Sequence, residues 1–171
     1  VSADAATRWR TFLDKVRVRL REILAEADAG FDELVATEVI DSGPVAAAGN
    51  EVRARLFALR DKIDPAWAKL ESELEGQDAL RDLGRALEDE IFREADALEV
   101  RVREKVVARL EVLAAGERRT RKLTCTRCGA ALPEPEVQHR TVNVNCTHCQ
   151  AVNTVRPSPA SARVAAMKPR R

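Results

Sequence analysis

The 171-residue sequence predicts a mainly α protein: an elongated, coiled-coil-like antiparallel bundle of three helices, followed by a small β unit around four cysteines. Three observations predict it. Ala, Leu, Glu, Arg and Val dominate, only 4% of residues are aromatic and Tyr is absent, a helix-forming mixture that argues against a sandwich or barrel. Apolar residues recur at steps of three and four in three long series. All four cysteines fall between Cys125 and Cys149, where the periodicity changes to that of strands.

The first series runs Trp9, Leu13, Val16, Leu20, Ile23, Ala27, Phe31, Leu34 and Val35, one face of a long amphipathic helix. It predicts a helix over residues 3–40, with Ser2 or Asp4 as cap and Asp41, Ser42, Gly43 and Pro44 as the stop. Val45, Ala48, Val52, Leu56, Leu59 and Ile63 form the second series, starting near Pro44 with Ser42 as cap. Asp64 and Pro65 interrupt it, because proline removes an amide donor and disfavours helical geometry before it. Either the helix kinks there or a new one begins, with Gly76 as a further stop after Leu70 and Leu74.

The third series is Leu83, Leu87, Ile91, Ala95, Leu98, Val102, Val106, Leu110 and Leu113, which predicts a helix from about Asp78 to Ala115. Its step of about 3.7 residues exceeds 3.5, so the helix should be nearly straight. Short connections at Ser42 and Gly76 favour antiparallel neighbours. These stripes read as core, and the acidic clusters at Glu71, Glu73, Glu75 and Asp78 and at Glu88, Asp89 and Glu90 as solvated surface.

The net charge of +1 conceals a division. Residues 1–115 hold 18 Lys and Arg against 25 Asp and Glu, whereas residues 116–171 hold 11 against 3, and all six aromatic residues lie in the acidic part. The expected organisation is an acidic helical bundle over 1–116, a basic linker over 117–122, a cysteine unit over 123–156 and a basic, disordered tail over 157–171. No apolar run approaches the roughly 18 residues needed to cross a bilayer, and the first residues show no secretory pattern, so a reducing cytoplasm is expected.

Cys125-Thr-Arg-Cys128-Gly129 and Cys146-Thr-His-Cys149 are separated by 17 residues. A C-x-x-C turn lets two thiolates approach one ion from one tight knuckle, and Gly129 lets the backbone fold back. Two knuckles at this interval are the pattern of a four-thiolate zinc site with Cys125, Cys128, Cys146 and Cys149 as ligands. Pro133 and Pro135 exclude helix between them, Thr141 to Asn145 alternate as a strand does, and Val152 to Val155 supply a partner. The few Val, Leu and Ala residues of 123–156 are too little core to fold unaided, so one structural Zn2+ is expected to stabilise the unit. In an oxidising compartment two disulfides would be the alternative.

At these residues the sequence resembles the zinc-ribbon superfamily: a first knuckle ending in Cys-Gly, a β-hairpin, and a second knuckle leading into a strand. The resemblance covers about 35 residues and implies the same four ligands and a three-stranded ribbon. A narrower similarity is to the DksA family of RNA polymerase regulators, which joins long antiparallel helices to a four-cysteine finger with the same interval. The sequence departs from that family in reading as strand around the second knuckle and in lacking its acidic tip motif.

Four thiolates leave no position for water, so the ion should not be catalytic. His139 and His148 read as exposed polar residues, although His148 lies inside the second knuckle. No phosphate-binding glycine loop or nucleophile with a base is found, so an enzyme is not expected. The function expected is a non-enzymatic interaction or scaffold protein whose helices bind a protein partner and whose ribbon adds a second contact. The alternative is a transcription-associated or nucleic-acid-binding regulator, with Arg118, Arg119, Arg121, Lys122 and Arg140 on phosphates. Arg127, Arg156, Arg163, Lys168, Arg170 and Arg171 extend the basic run, but no aromatic follows Phe92 to stack on bases. Oligomeric state is left open.

Overall fold

The computed structural model describes residues 3–37, 40, 42–135 and 140–167, without the side chains of Ala3, Ser42 and Arg119. Ser2, Asp41, His139, Lys168, Arg170 and Arg171 lie outside the described residues. The chain is mainly helical, with a small two-stranded antiparallel sheet towards its C-terminus. It divides into two compact units, Val1–Val102 and Arg103–Arg171. Among the described residues no helix is long and apolar enough to cross a membrane.

The first unit holds α1 (Ala3–Val35), α2 (Ser42–Arg60), α3 (Ile63–Ala68) and the first part of α4 (Asp78–Thr120). Four helices stand where three were expected, because the Asp64–Pro65 step begins a separate short helix. The N–H that Pro65 lacks would be unpaired in a first turn anyway, so the proline is accommodated there. Helix α1 stops at Val35, short of residue 40, with Ala36 amide bonds to Asp32 and Glu33 and the Thr37 hydroxyl bonded back to the Leu34 carbonyl at 3.2 Å. The β-branched Thr37 and Ile40 disfavour further helix, and Ile40 is buried.

The directions of the long helices follow from their contacts. Trp9 donates from Nε1 to the Leu80 carbonyl at 2.7 Å and Arg17 meets Glu90, so α1 and α4 run the same way. Arg53 pairs with Asp96 at 3.1 Å and Phe57 meets Phe92 at 5.5 Å, so α2 runs against α4 and therefore against α1. Arg60 lies 4.7 Å over the half-exposed Phe92 ring and 5.2 Å over Phe57, a cation–π contact that covers an aromatic pair with a charge.

The apolar stripes are buried largely as their spacing predicts, from Trp9 to Phe31 on α1 and at Val52, Leu56 and Leu59 on α2. On α4 the stripe differs. Leu83 is 40% exposed, and the buried face begins Leu80, Gly84, Leu87, Ile91. The reason is Trp9, whose ring packs edge-on against Trp67 at 5.1 Å and occupies the space beside Gly84. A methyl group at position 84 would lie 2.7 Å from the indole and 3.4 Å from Ile63. Glycine thus makes the close approach of α1, α3 and α4 possible, at a cost of about 1 kcal/mol in helix propensity.

The second unit contains the end of α4, strands β1 (Val142–Asn145) and β2 (Val152–Val155), and α5 (Pro159–Met167). Two departures from the expected organisation occur here. Helix α4 continues to Thr120, so most of the basic linker is helical, and its last turn is fastened within this unit: Glu117 accepts from the Ala160 amide at 3.3 Å and Arg121 donates to the Arg156 carbonyl at 2.8 Å. The tail is not disordered over its first part. Ser158 accepts from the Ser161 amide at 3.2 Å as an N-cap, Pro159 takes the first helical position, and Ala160 and Val164 are buried.

Substituting Gly84→Ala should destabilise the protein by about 1–2 kcal/mol, because overpacking against the rigid, buried indole outweighs the better helix propensity. Denaturant unfolding followed by far-ultraviolet circular dichroism checks this. An equal or higher midpoint would show that Trp9 yields at no cost.

Candidate metal centre

Both C-x-x-C segments fold into the same hydrogen-bonded frame. In the first knuckle the Gly129 amide donates to the Cys125 carbonyl at 2.9 Å and the Cys125 amide to the Ala130 carbonyl at 2.8 Å. In the second, Gln150 donates to Cys146 at 3.0 Å and Cys146 to Ala151 at 2.9 Å. The residue that closes each frame has positive φ: Gly129 at 75° and Gln150 at 60°. A minimal hairpin supports the first knuckle through the Thr124–Ala131 bridge, whereas β1 and β2 flank the second, with Val142 opposite Val155 and Val144 opposite Asn153. The implied three-stranded ribbon is thus a two-stranded sheet plus an isolated bridge among the described residues.

The four Sγ atoms lie within 4.8 Å of one another. Cys125 and Cys149 are 3.6 Å apart and Cys128 and Cys146 3.7 Å apart. These separations are far from the roughly 2.05 Å of a disulfide. They fit ligands about 2.3 Å from one ion, which stand about 3.8 Å apart along the edges of a tetrahedron. Cys125 and Cys146 are buried, Cys149 is half-buried and Cys128 is exposed. The four residues can therefore hold one metal ion.

Electrostatics favour thiolates in the cluster but not four of them together. Backbone amides of Cys128 and Arg127 hold the Cys125 thiol down at about 6, helped by the Asn153 carboxamide. The Cys149 and His148 amides lower Cys146 in the same way. The Ala130 amide pulls Cys128 down too, but Cys149, burial and the other two sulfurs push it up to about 12. Adjacent negative sulfurs repel, and a bound cation removes that repulsion.

Asn153 ties the two knuckles together and was not singled out in the sequence. It is 4% exposed, accepts from the Thr126 amide at 2.9 Å and hydroxyl at 3.1 Å, and donates to the Ala151 carbonyl at 2.9 Å and towards Cys125 Sγ at 3.6 Å. Strand β2 therefore turns Asn153 and Val155 inwards and leaves Val152 63% exposed. His148 is exposed, and its amide rather than its ring serves Cys146.

No protein family, curated protein or solved structure matches this chain. The metal centre therefore stands on its own geometry.

The sequence-selected basic residues separate in space. Arg118, Arg121 and Arg140 line one cavity, joined there by Arg156. Lys122 is exposed and is not among its lining residues. The Arg119 side chain lies outside the described residues. Arg156 carried no special signal beyond its charge.

The knuckle frames make opposite substitutions informative. A left-handed conformation costs a residue with a Cβ about 1 kcal/mol, so Gly129→Ala should weaken metal retention and Gln150→Gly should strengthen it by several-fold each. Competition with a chromogenic chelator measures both. Equal effects of the same sign would show that φ at these positions does not limit the site.

Proposed function

We propose that the chain is a non-enzymatic zinc-binding interaction protein, in which a helical platform binds a protein partner and a zinc ribbon provides a second contact. The observation that carries this reading is the convergence of four thiols in a closed set. Soft thiolates at tetrahedral spacing favour zinc, and four of them saturate the ion, so it supports structure rather than catalysis. The strands beside the second knuckle support the resemblance to zinc ribbons, and they argue against the helix-supported finger of the DksA family. On this reading α1, α2 and α4 form an antiparallel three-helix bundle with α3 closing one end. Reduced thiols suit a cytoplasmic location.

The second reading, nucleic-acid binding, draws on the arginines gathered beside the ribbon. A salt series separates the two. If the protein-interaction reading is right, duplex DNA and RNA do not bind the zinc-loaded chain at physiological salt. Micromolar binding that falls steeply with salt replaces it with the regulator reading.

Metal analysis tests the shared premise. One zinc per chain is expected, with chelation abolishing the order of residues 123–156 while most helical circular dichroism remains. A reduced protein with no metal, or a chelated one with the ribbon intact, removes the basis of both readings.

A further inference from the structure

The cavity beside the metal unit has a chemistry of its own. It encloses about 110 Å³ between the end of α4, the strands and the start of α5, all within the second unit. Arg118, Arg121, Arg140 and Arg156 line it, with Glu134 the one carboxylate among its described lining residues. Its walls include Leu132, Val142 and Val155, which lower the local dielectric and strengthen any charge interaction inside. The arginines are placed by the fold: Arg121 is tethered to the Arg156 carbonyl, and Arg156 directly follows β2. Ser161, 3% exposed, lines the cavity, and its hydroxyl accepts a 3.0 Å bond from the Ser158 hydroxyl.

Arginines outnumber carboxylates among the described residues that line this space, so it favours an anion. Guanidinium forks match the oxygens of a phosphate, and a hydroxyl donor complements them. The volume admits one such group but not a nucleotide, since pockets for larger ligands measure about 300–1,000 Å³.

We propose that this cavity binds a single phosphate-type oxyanion, held by Arg121, Arg140 and Arg156, as the monoester group of a phosphorylated side chain on a protein partner or as free phosphate. The partner source rests on the interaction reading above. The oxyanion site itself does not.

Calorimetric titration of the zinc-loaded chain at constant ionic strength tests it with inorganic phosphate, a phosphoserine peptide, and the same peptide carrying serine or glutamate. Phosphate should bind in preference to chloride, and the phosphopeptide about tenfold or more tighter than either control. Arg140→Gln and Arg156→Gln should each weaken phosphate about tenfold. Arg127→Gln, on the first knuckle and not lining the cavity, should leave it unchanged. Metal content and thermal midpoint should stay constant throughout.

Phosphate binding without preference for the phosphopeptide would support the site with free phosphate as its source. No preference of inorganic phosphate over chloride, or equal weakening of phosphate by Arg127→Gln, overturns the site. A duplex DNA arm distinguishes the premises. DNA bound at physiological salt, with phosphate still lost on Arg140→Gln alone, ends the protein-partner reading and keeps the oxyanion site. DNA weakened alike by Arg127→Gln and Arg140→Gln, with no selective phosphate binding, overturns the site as a diffuse basic face.

Discussion

Sulfur atoms that repel one another when ionised, yet are brought together by the backbone, are the constraint on which the second unit depends. Each knuckle aims amides at its first cysteine and stabilises negative charge there, while the nearness of the four sulfurs resists complete ionisation. A divalent ion resolves that conflict in a way that apolar packing cannot. The buried apolar side chains among the described residues of 123–156 amount to little beyond the cysteines and Val155. Metal–thiolate bonds at the four cysteines would supply much of the free energy that assembling this segment requires.

That dependence extends to the arginines. Arg140 lies just before β1 and Arg156 just after β2, at the same end of paired strands whose far ends lead into and out of the second knuckle. Their approach to one cavity is a consequence of strand register, with Val142 opposite Val155. Arg118 and Arg121 arrive from the other side because α4 continues past Gly116. The fold that brings the four cysteines together thus also determines where charge is concentrated.

The sequence makes some of this legible and hides the rest for identifiable reasons. Three- and four-residue steps expose the cores of α1, α2 and α4, since burial of a helix face leaves a periodic record. The spacing of Cys125, Cys128, Cys146 and Cys149 exposes the metal centre because coordination permits few intervals. Gly84 leaves no such record: its role is to lack a side chain where Trp9 arrives from α1, and only the pairing of helices reveals that. Asn153 is hidden for a related reason, as Val-Asn-Thr-Val places one valine on each face and does not say which face is inward until β1 is paired with it. Helix α5 is missed because a Pro-Ser-Pro-Ala composition resembles a linker. Yet Ser158 and Pro159 are also a cap and a first helical residue, and Ala160 and Val164 have somewhere to pack.

The two units illustrate different solutions to the same shortage of structure-specific contacts. In the helical unit, surface ion pairs such as Arg8 with Glu73 contribute little each, and specificity comes from shape, with one indole seated where one residue has no side chain. In the cysteine unit, shape is supplied by directional bonds, and one buried carboxamide links both knuckles. Shape-based packing tolerates substitution gradually, whereas a four-ligand centre fails with the loss of one donor. The second unit should therefore be the one whose folding responds to metal supply, and a surface assembled by that unit would be present only in the metal-bound protein.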